Sequence, residues 1–272
     1  MEQRKIAFIG AGNMTRSIIA GLVASGYEPN DIVATNPSEG KRVALTNDYG
    51  VNTTDNNIEA AAWADVVVLA VKPQLMTTVA SGLAGVDLSD KLLVSIAAGI
   101  SVQRLDEMFN TELNLVRVMP NTPSLIGEGM SGLYAEDKVL VKDKQFATEL
   151  MEAVGKVCWV SSESGINDVI AAAGSAPAYF FLFMEAMQQE AVRNGMDEAT
   201  ARLLVQQTAY GAAKMVCCNP EVDLATLRQQ VTSKGGTTAE AIRTFEEQGL
   251  RDTVSQAMQA AISRAEAMEK QF

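Results

Sequence analysis

Residues 231–249, VTSKGGTTAEAIRTFEEQG, contain the residue types suited to holding a small anion. Two glycines, Gly235 and Gly236, let the backbone approach a ligand with no Cβ in the way. Thr237 and Thr238 follow them at the predicted start of a helix, where backbone N–H groups and the helix dipole attract negative charge. This stretch therefore predicts a site for a small anion.

The helix that starts there has recognisable ends in the sequence. Thr237 and Glu240 have the spacing of a capping box, in which the threonine caps the helix, and Gly249 is placed to end it. A capped surface helix after a flexible turn, without a ligand, is the alternative interpretation of the same residues. A second glycine motif, at the other end of the chain, favours the anion site.

That second motif follows a predicted buried strand at residues 5–10, KIAFIG, and leads into helical spacing that continues to Gly26. Its pattern is GxGxxT, with Thr15 where the dinucleotide-binding fingerprint of a Rossmann fold has Gly or Ala. A tight turn without a ligand could use the same glycines, but the position between a strand and a helix favours dinucleotide binding. The residues assigned to this contact are Gly10, Ala11, Gly12, Asn13 and Met14.

The end of the second predicted strand indicates which dinucleotide binds. NAD enzymes usually carry Asp or Glu there for the ribose 2′-hydroxyl, whereas this chain has Asn36 and Ser38. An amide, a hydroxyl and the nearby cations of Lys41 and Arg42 suit a 2′-phosphate better. Glu39 opposes this interpretation, and both cations could be ordinary solvated helix residues. We predict NADPH as the cofactor, with NADH possible.

Near-continuous apolar strands alternate with helical segments in the first half of the chain. This alternation predicts an α/β fold with a parallel, doubly wound sheet, in which ligands bind at the carboxyl ends of the strands. The predicted strands are residues 5–10, 31–35, 65–71, 91–96 and 114–118. Further cofactor candidates are Asn57, Ala70, Val71, Lys72, Pro73, Ala97 and Ala98. Asn121, which follows the last of these strands, is a candidate for binding the substrate.

From residue 166 onward only helical periodicity is found. We therefore predict a dinucleotide-binding (Rossmann) domain at residues 1–162 and an all-helical domain for substrate binding and dimerisation at residues 163–272. Residues 179–184, YFFLFM, are apolar nearly all round, which a domain of about 110 residues would find hard to cover alone. A subunit interface would cover them, so we expect an oligomer.

Composition excludes several kinds of chemistry. The formal charge of −11 argues against nucleic acid or anionic lipid as a partner, and the lack of histidine excludes acid–base catalysis by imidazole. The three cysteines form neither a disulfide framework nor a metal-binding pattern, so no metal is expected. We find no signal-peptide core and no apolar run near the roughly 18 residues of a membrane span. We therefore expect a cytoplasmic protein without a membrane partner.

Six motifs, distributed over nearly the whole chain, match one known family. They are FIGAGNM at residues 8–14, AVKPQ at 70–74, SIAAGI at 95–100, RVMPNTP at 117–123, GSAPAY at 174–179 and VTSKGGTTAEAI at 231–242. Together they resemble pyrroline-5-carboxylate reductase. The first motif is shared by many reductases, whereas RVMPNTP with the late GGTT segment is close to diagnostic.

The resemblance implies reduction of L-1-pyrroline-5-carboxylate to L-proline, the last step of proline biosynthesis, by hydride transfer from NADPH or NADH. It implies that Thr238 is the catalytic residue, whose hydroxyl hydrogen-bonds the ring nitrogen, and that the chain forms a homodimer or a ring of dimers. No strong general acid is needed, because a protonated imine is already the better electrophile and water can supply the proton. The implied substrate contacts are Asn121, Ser175, Ser233, Gly236, Thr237 and Thr238.

Two departures from the family pattern stand beside the expected substrate pocket. Ala176 replaces a usual Gly or Ser, and Lys234 replaces a usual Pro, which puts substrate affinity in doubt more than reaction type. A related imine reductase or 3-hydroxyacid dehydrogenase is an alternative, although the catalytic lysine of the hydroxyacid enzymes is not found after Gly174. A non-catalytic NADPH-binding protein is an alternative from another class.

Overall fold

The computed structural model describes residues 1–271, which divide by their contacts into two compact units. The first unit contains Met1–Pro177 and the described residues from Ala260 onward, and the second contains Ala178–Gln259. The domain boundary expected after residue 162 stays a prediction.

One eight-stranded sheet lies in the first unit. Its strands are β1 (Ile6–Ile9), β2 (Ile32–Thr35), β3 (Asn52–Thr54), β4 (Val66–Leu69), β5 (Leu92–Ser95), β6 (Leu115–Met119), β7 (Gly129–Ala135) and β8 (Gly155–Trp159). They lie in the order β3-β2-β1-β4-β5-β6-β7-β8, and every neighbouring pair is parallel except β6 with β7. The predicted doubly wound sheet is thus confirmed as a mainly parallel one, with the correction that one pair is antiparallel.

Helices cover both faces of this sheet. They are α1 (Asn13–Ala24), α2 (Glu39–Tyr49), α3 (Asn57–Trp63), α4 (Met76–Gly82), α5 (Val102–Phe109), α6 (Val141–Glu152) and α7 (Gly165–Val169). In β1, Ile6 and Phe8 pack into the core cluster that includes α1 and α6, while Ala7 and Ile9 pack into the cluster of α3, α4 and α5. Alternate residues of a strand face opposite sides, so an apolar strand supplies both cores.

Strands β3, β7 and β8 are not anticipated by the apolar pattern. β3 is the polar sequence NTT at the sheet edge, and β7, GMSGLYA, contains two glycines. β8 is only partly buried. Edge position removes the need for a continuous apolar run in β3 and β8, and the glycines of β7 interrupt its apolar pattern, so composition carries little signal in all three.

The described chain from Ile166 onward contains helices joined by turns and no strand, as predicted. A π-helical turn, Ile170–Gly174, follows α7. The remaining helices are α8 (Ala176–Arg193), α9 (Glu198–Cys218), α10 (Leu224–Gln230), α11 (Thr237–Glu247) and α12 (Leu250–Glu269).

The second unit buries very little apolar surface. Within the described residues, its buried hydrophobic side chains are Ala201 and Val205, whereas Phe180, Phe181 and Leu182 are 68%, 62% and 66% exposed. Apolar side chains of this size are rarely left in water in such numbers. This unit therefore has an apolar surface but no substantial core of its own.

One helical segment within residues 1–271, Gly165–Arg193, is long and apolar enough to cross a membrane by length and composition alone. Its most apolar part has a mean hydropathy of 1.4. The expectation that no segment reaches this threshold is therefore wrong. Membrane spans and the apolar helices of subunit interfaces share this composition, so length and hydropathy do not distinguish between them.

Candidate functional site

The turn between β1 and α1 is shaped by close backbone packing. Gly10 has φ +111°, and a Cβ there would lie 2.6 Å from the Ala70 carbonyl oxygen. Its N–H donates to the Thr35 carbonyl at 3.1 Å, and the buried Thr15 hydroxyl donates to the Gly10 carbonyl at 2.7 Å. Thr15 therefore fixes the turn by a hydrogen bond at the position where the fingerprint has a small residue.

The outer side of this turn is open. Gly12 is the N-cap of α1 with no side-chain acceptor, and a Cβ placed on it would meet nothing within 4 Å. Gly12 and Asn13 are exposed. Free N–H groups and the helix dipole at this terminus suit a pyrophosphate.

A cation lies at the end of β2, as a 2′-phosphate would need. Nη1 of Arg42 donates to the Asn36 carbonyl at 2.5 Å, and the Asn36 Oδ1 accepts from the Ser38 N–H at 2.9 Å. Nη2 of Arg42 lies 4.0 Å from an oxygen of the exposed Asp55. Of the two cations singled out in the sequence, Arg42 is therefore the one at the strand tip, while Lys41 is exposed on α2.

The other cofactor candidates occupy the same edge of the sheet. The Thr35 hydroxyl donates to Oδ1 of Asn57 at 2.5 Å, which joins the end of β2 to the start of α3. Ala70, Val71, Lys72 and Pro73 follow β4, and Ala97 and Ala98 follow β5. The tips of β2, β1, β4 and β5 are neighbours in the sheet, so these residues form one continuous edge.

Asn121 and Ser175 of the substrate candidates lie in the first unit. Asn121 is buried, donates from Nδ2 to the Ala173 carbonyl at 3.2 Å and accepts from the Met130 N–H at 2.9 Å. It thereby ties the RVMPNTP segment to the π-helical turn, which Ser175 closes by donating its N–H to the Ile170 carbonyl at 2.8 Å. π-Turns inside helices frequently mark functional sites.

The other candidates, Ser233 and Gly236 to Thr238, lie in the second unit around a hydrogen-bonded turn. The Gly236 N–H donates to the Ser233 carbonyl at 3.0 Å, and Gly235 has φ +73°. These features define a type II turn, whose third residue needs a positive φ and whose second, here Lys234, is the position favoured by proline. The Gly236 N–H is consequently engaged within the turn.

The predicted capping box is wrong. The N-cap of α11 is Gly236, so Thr237 and Thr238 are the first two helical residues and no side chain caps the helix. The Glu240 carboxylate instead accepts from Nε and Nη2 of Arg243. The turn ends at Gly236, one residue earlier than a Thr237 cap requires, so the helix also starts one residue earlier. Gly249, with φ +75°, follows the helix end as predicted.

This shift leaves the start of α11 open. Thr237 and Thr238 are exposed, and neither hydroxyl has a hydrogen-bond partner among residues 1–271. Their backbone N–H groups belong to the first turn, where no intrahelical acceptor exists. The second unit therefore presents two free N–H groups and two free hydroxyls to a ligand.

Arg117, which forms buried ion pairs, is not among the residues that the sequence singled out. It is 2% exposed in β6 and pairs with Glu163 and Glu269, at 2.5 and 3.3 Å. The sequence did offer a sign of this ion pairing, since a charged residue within the apolar strand LVRVM is expected to be buried, and a buried arginine needs partners. Burial and the Glu163 charge raise the pKa of neighbouring Tyr134 above its ordinary value.

Two cavities were found away from the glycine turn. One of about 620 Å³ lies at the opposite, amino-terminal edge of the sheet, where Arg4, Asp65 and Asp143 line it. A second of about 460 Å³ is lined by Asn57 and Thr78 among others. The larger cavity therefore lies far along the strands from the residues selected by sequence.

The glycine turn and the edge beside it define a nucleotide-dependent oxidoreductase of the Rossmann type. Residues 5–99 match the family described as "NADP oxidoreductase coenzyme F420-dependent". Residues 163–268 match the family described as "Pyrroline-5-carboxylate reductase dimerisation".

Full-length relatives narrow the class to one family. A pyrroline-5-carboxylate reductase of Vibrio alginolyticus is 65% identical over 272 residues, covering 100% of both chains. The solved Coxiella burnetii pyrroline-5-carboxylate reductase has 43% identity and a TM-score of 0.93, covering 98% of this chain and 99% of that one. A Plasmodium falciparum pyrroline carboxylate reductase, solved with NADP bound, has 30% identity, a TM-score of 0.87 and 99% coverage of both chains. This chain belongs to the pyrroline-5-carboxylate reductase family, as the motifs indicated.

Proposed function

We propose that this protein reduces L-1-pyrroline-5-carboxylate to L-proline with NADPH, and that NADH can replace it. The observation that carries the proposal is the uncapped start of α11, where two free N–H groups and two free hydroxyls lie together. A small anion with an adjacent hydrogen-bonding nitrogen suits this arrangement. Full-length identity of 65% to a relative of that name supports the same reaction.

The cofactor residues lie along one sheet edge. We assign the pyrophosphate to the turn from Gly10 to Met14, where the Gly10 N–H is donated to Thr35 and the residues after it offer their N–H groups. We assign the 2′-phosphate to Asn36, Ser38 and Arg42. Asn57, the segment Ala70–Pro73, and Ala97 with Ala98 complete the contact. NADPH, when bound, would supply the hydride. The task of the protein is to orient the cofactor and the imine, and orientation alone can lower the activation free energy by several kcal/mol.

The substrate carboxylate is assigned to the backbone N–H groups of Thr237 and Thr238, with the Ser233 hydroxyl beside it. Because the Gly236 N–H is already donated within the turn, Gly236 contributes close approach of the backbone rather than a hydrogen bond. The Thr238 hydroxyl orients the ring nitrogen. Solvent supplies the proton, which agrees with the absence of histidine in the sequence.

Assembly follows from the exposed apolar side chains of the second unit. A second copy of the chain placed on α8 and α9 would cover them, and the match to a dimerisation family over residues 163–268 supports this. We propose a homodimer, which can assemble further into a ring of dimers. The apolar segment Gly165–Arg193 then serves the interface and not a membrane. With a net charge of −11 we propose a cytoplasmic protein that binds neither membranes nor nucleic acid.

The decisive experiment measures NADPH absorbance during incubation of the purified protein with racemic pyrroline-5-carboxylate. Oxidation of NADPH that depends on the imine, with L-proline as product, is the expected result. NADPH binding without turnover would support the non-catalytic alternative. Turnover of a 3-hydroxyacid with NADP, but none of the imine, would support the hydroxyacid dehydrogenase.

A further inference from the structure

Arg117 is the centre of a charged network inside the first unit. Its guanidinium reaches Glu163 through Nη1 and Glu269 through Nη1 and Nη2, and Asn167 donates to the other oxygen of Glu269 at 3.4 Å. We call these four residues the Arg117 network. A buried arginine held by two carboxylates from separate segments fixes the positions of both segments.

The first carboxylate connects the network to the start of α5. The Glu163 oxygen that binds Arg117 also accepts the Val102 N–H at 2.6 Å. Val102 is the first residue of α5 and follows directly on the segment after β5. Glu163 therefore holds the carboxyl-terminal end of the loop that contains Ala97 and Ala98.

The second carboxylate connects the network to the middle of the same loop. Glu269 follows Met268 at the end of α12, and Met268 packs on Gly99 so closely that a Cβ there would lie 2.9 Å from the Met268 Cβ. Gly99 has φ +72° and is buried. The pairing of Glu269 with Arg117 therefore keeps Met268 against the loop.

We infer that the Arg117 network positions the loop from Ala97 to Ser101 for the nicotinamide half of the cofactor. The inference rests on the proposed function, in which Ala97 and Ala98 contact NADPH. The order of the strands indicates which half of the cofactor lies over this loop. The 2′-phosphate residues follow β2 and the pyrophosphate turn follows β1, so the rest of an extended dinucleotide falls beyond β1, over β4 and β5. Arg117, Glu163 and Glu269 are thus positioning residues that need not touch the cofactor.

The test compares Glu269→Gln with a matched pair at the opposite edge of the sheet. Asp143 accepts from Arg4 at 2.6 Å and from the Asn114 amide at 2.9 Å, so it too joins an arginine and an asparagine. Asp143→Asn weakens a similar charged contact without involving the loop. Both variants retain a side chain of nearly the same volume, and Arg117 keeps Glu163 as a partner in Glu269→Gln.

Calorimetric titration of the full-length proteins with NADPH and with 2′,5′-ADP separates positioning from general destabilisation. The fragment contains the 2′-phosphate and adenosine but no nicotinamide. For Glu269→Gln we expect the Kd of NADPH to rise roughly three- to tenfold, with the Kd of 2′,5′-ADP unchanged. Glu163→Gln weakens the contact of Arg117 with its other carboxylate and should have the same effect on both Kd values. Asp143→Asn should change neither Kd, although its thermal midpoint falls.

Three other outcomes would overturn the inference. An unchanged NADPH affinity in both glutamate variants, or an equal weakening of NADPH and the fragment, would leave the network with a purely structural role. A similar loss of NADPH affinity in Asp143→Asn would also show that the network has a purely structural role. If the wild-type protein bound neither compound, the cofactor assignment itself would fail, and the two failures are therefore distinguishable.

Discussion

At the scale of single residues, Thr237 and Thr238 offer a closely matched comparison. They are adjacent and exposed in the first turn of α11, and neither hydroxyl is engaged among residues 1–271. Because Gly236 is the N-cap, neither threonine stabilises the helix through its side chain. Removing either hydroxyl should leave the thermal midpoint nearly unchanged, so a change in activity can be attributed to the ligand.

Thr238→Ala should lower kcat/KM for pyrroline-5-carboxylate by about ten- to a few-hundredfold, since a hydrogen bond in a desolvated site contributes on the order of 1–3 kcal/mol. The Kd of NADPH should stay constant, and Thr238→Ser should recover most of the activity. Thr237→Ala keeps the backbone N–H that is assigned to the carboxylate, and it should lower kcat/KM much less than Thr238→Ala does. Steady-state kinetics on the three variants decide this, and an unchanged kcat/KM in Thr238→Ala would contradict the role given to its hydroxyl.

Asn36→Asp should shift cofactor preference toward NADH. The new carboxylate can still accept the Ser38 N–H, so the turn is retained, but it would face the 2′-phosphate. We expect the ratio of kcat/KM for NADPH to that for NADH, above one in the wild type, to fall by at least about tenfold. Asn194→Asp makes the same charge change at an exposed position after α8 and should leave the ratio unchanged. Equal ratios in wild type and Asn36→Asp would refute the assignment.

At the scale of an element, the turn from Ser233 to Gly236 sets the start of α11. Lys234→Pro should stabilise the protein by about 0.4–1 kcal/mol, because proline fits the second position of a type II turn and restricts the unfolded chain. Gly235→Ala should destabilise it by about 1 kcal/mol or more, because alanine disfavours a positive φ. Thermal or urea unfolding at one protein concentration measures both changes. A loss of stability in Lys234→Pro would show that the turn is of another type.

At the scale of the whole molecule, the exposed apolar side chains of α8 are the surface at which we expect a second copy of the chain to bind. Leu182→Glu should weaken assembly, because burying an unpaired carboxylate in an interface costs several kcal/mol. Light scattering should give at least twice the 29.0 kDa chain mass for the wild type, and a shift toward 29.0 kDa for the variant at equal concentration. Val141→Glu, 83% exposed in the first unit, is the control and should keep the wild-type mass. A wild-type mass of 29.0 kDa would exclude the oligomer.

The sequence by itself determined the class of fold, the family and the edge of the sheet at which the candidate cofactor residues lie. Short, near-continuous apolar runs and glycine turns are local properties, so β1, β2, β4, β5 and β6 could be located without a structure. The same holds for the helix that begins at Thr237, because glycines and threonines act through their own backbone and immediate neighbours.

Only the tertiary structure decided features that depend on contacts between distant segments. The antiparallel β7 and the partly exposed β8 depend on sheet neighbours, and these leave little trace in local composition. The N-cap is Gly236 and not Thr237 for a local reason, since the turn that ends at Gly236, and not the capping-box spacing, fixes where the helix starts. The partners of Arg117 are carboxylates 46 and 152 residues away in the chain. No sequence periodicity extends over such separations, so these ion pairs could not be predicted from the sequence.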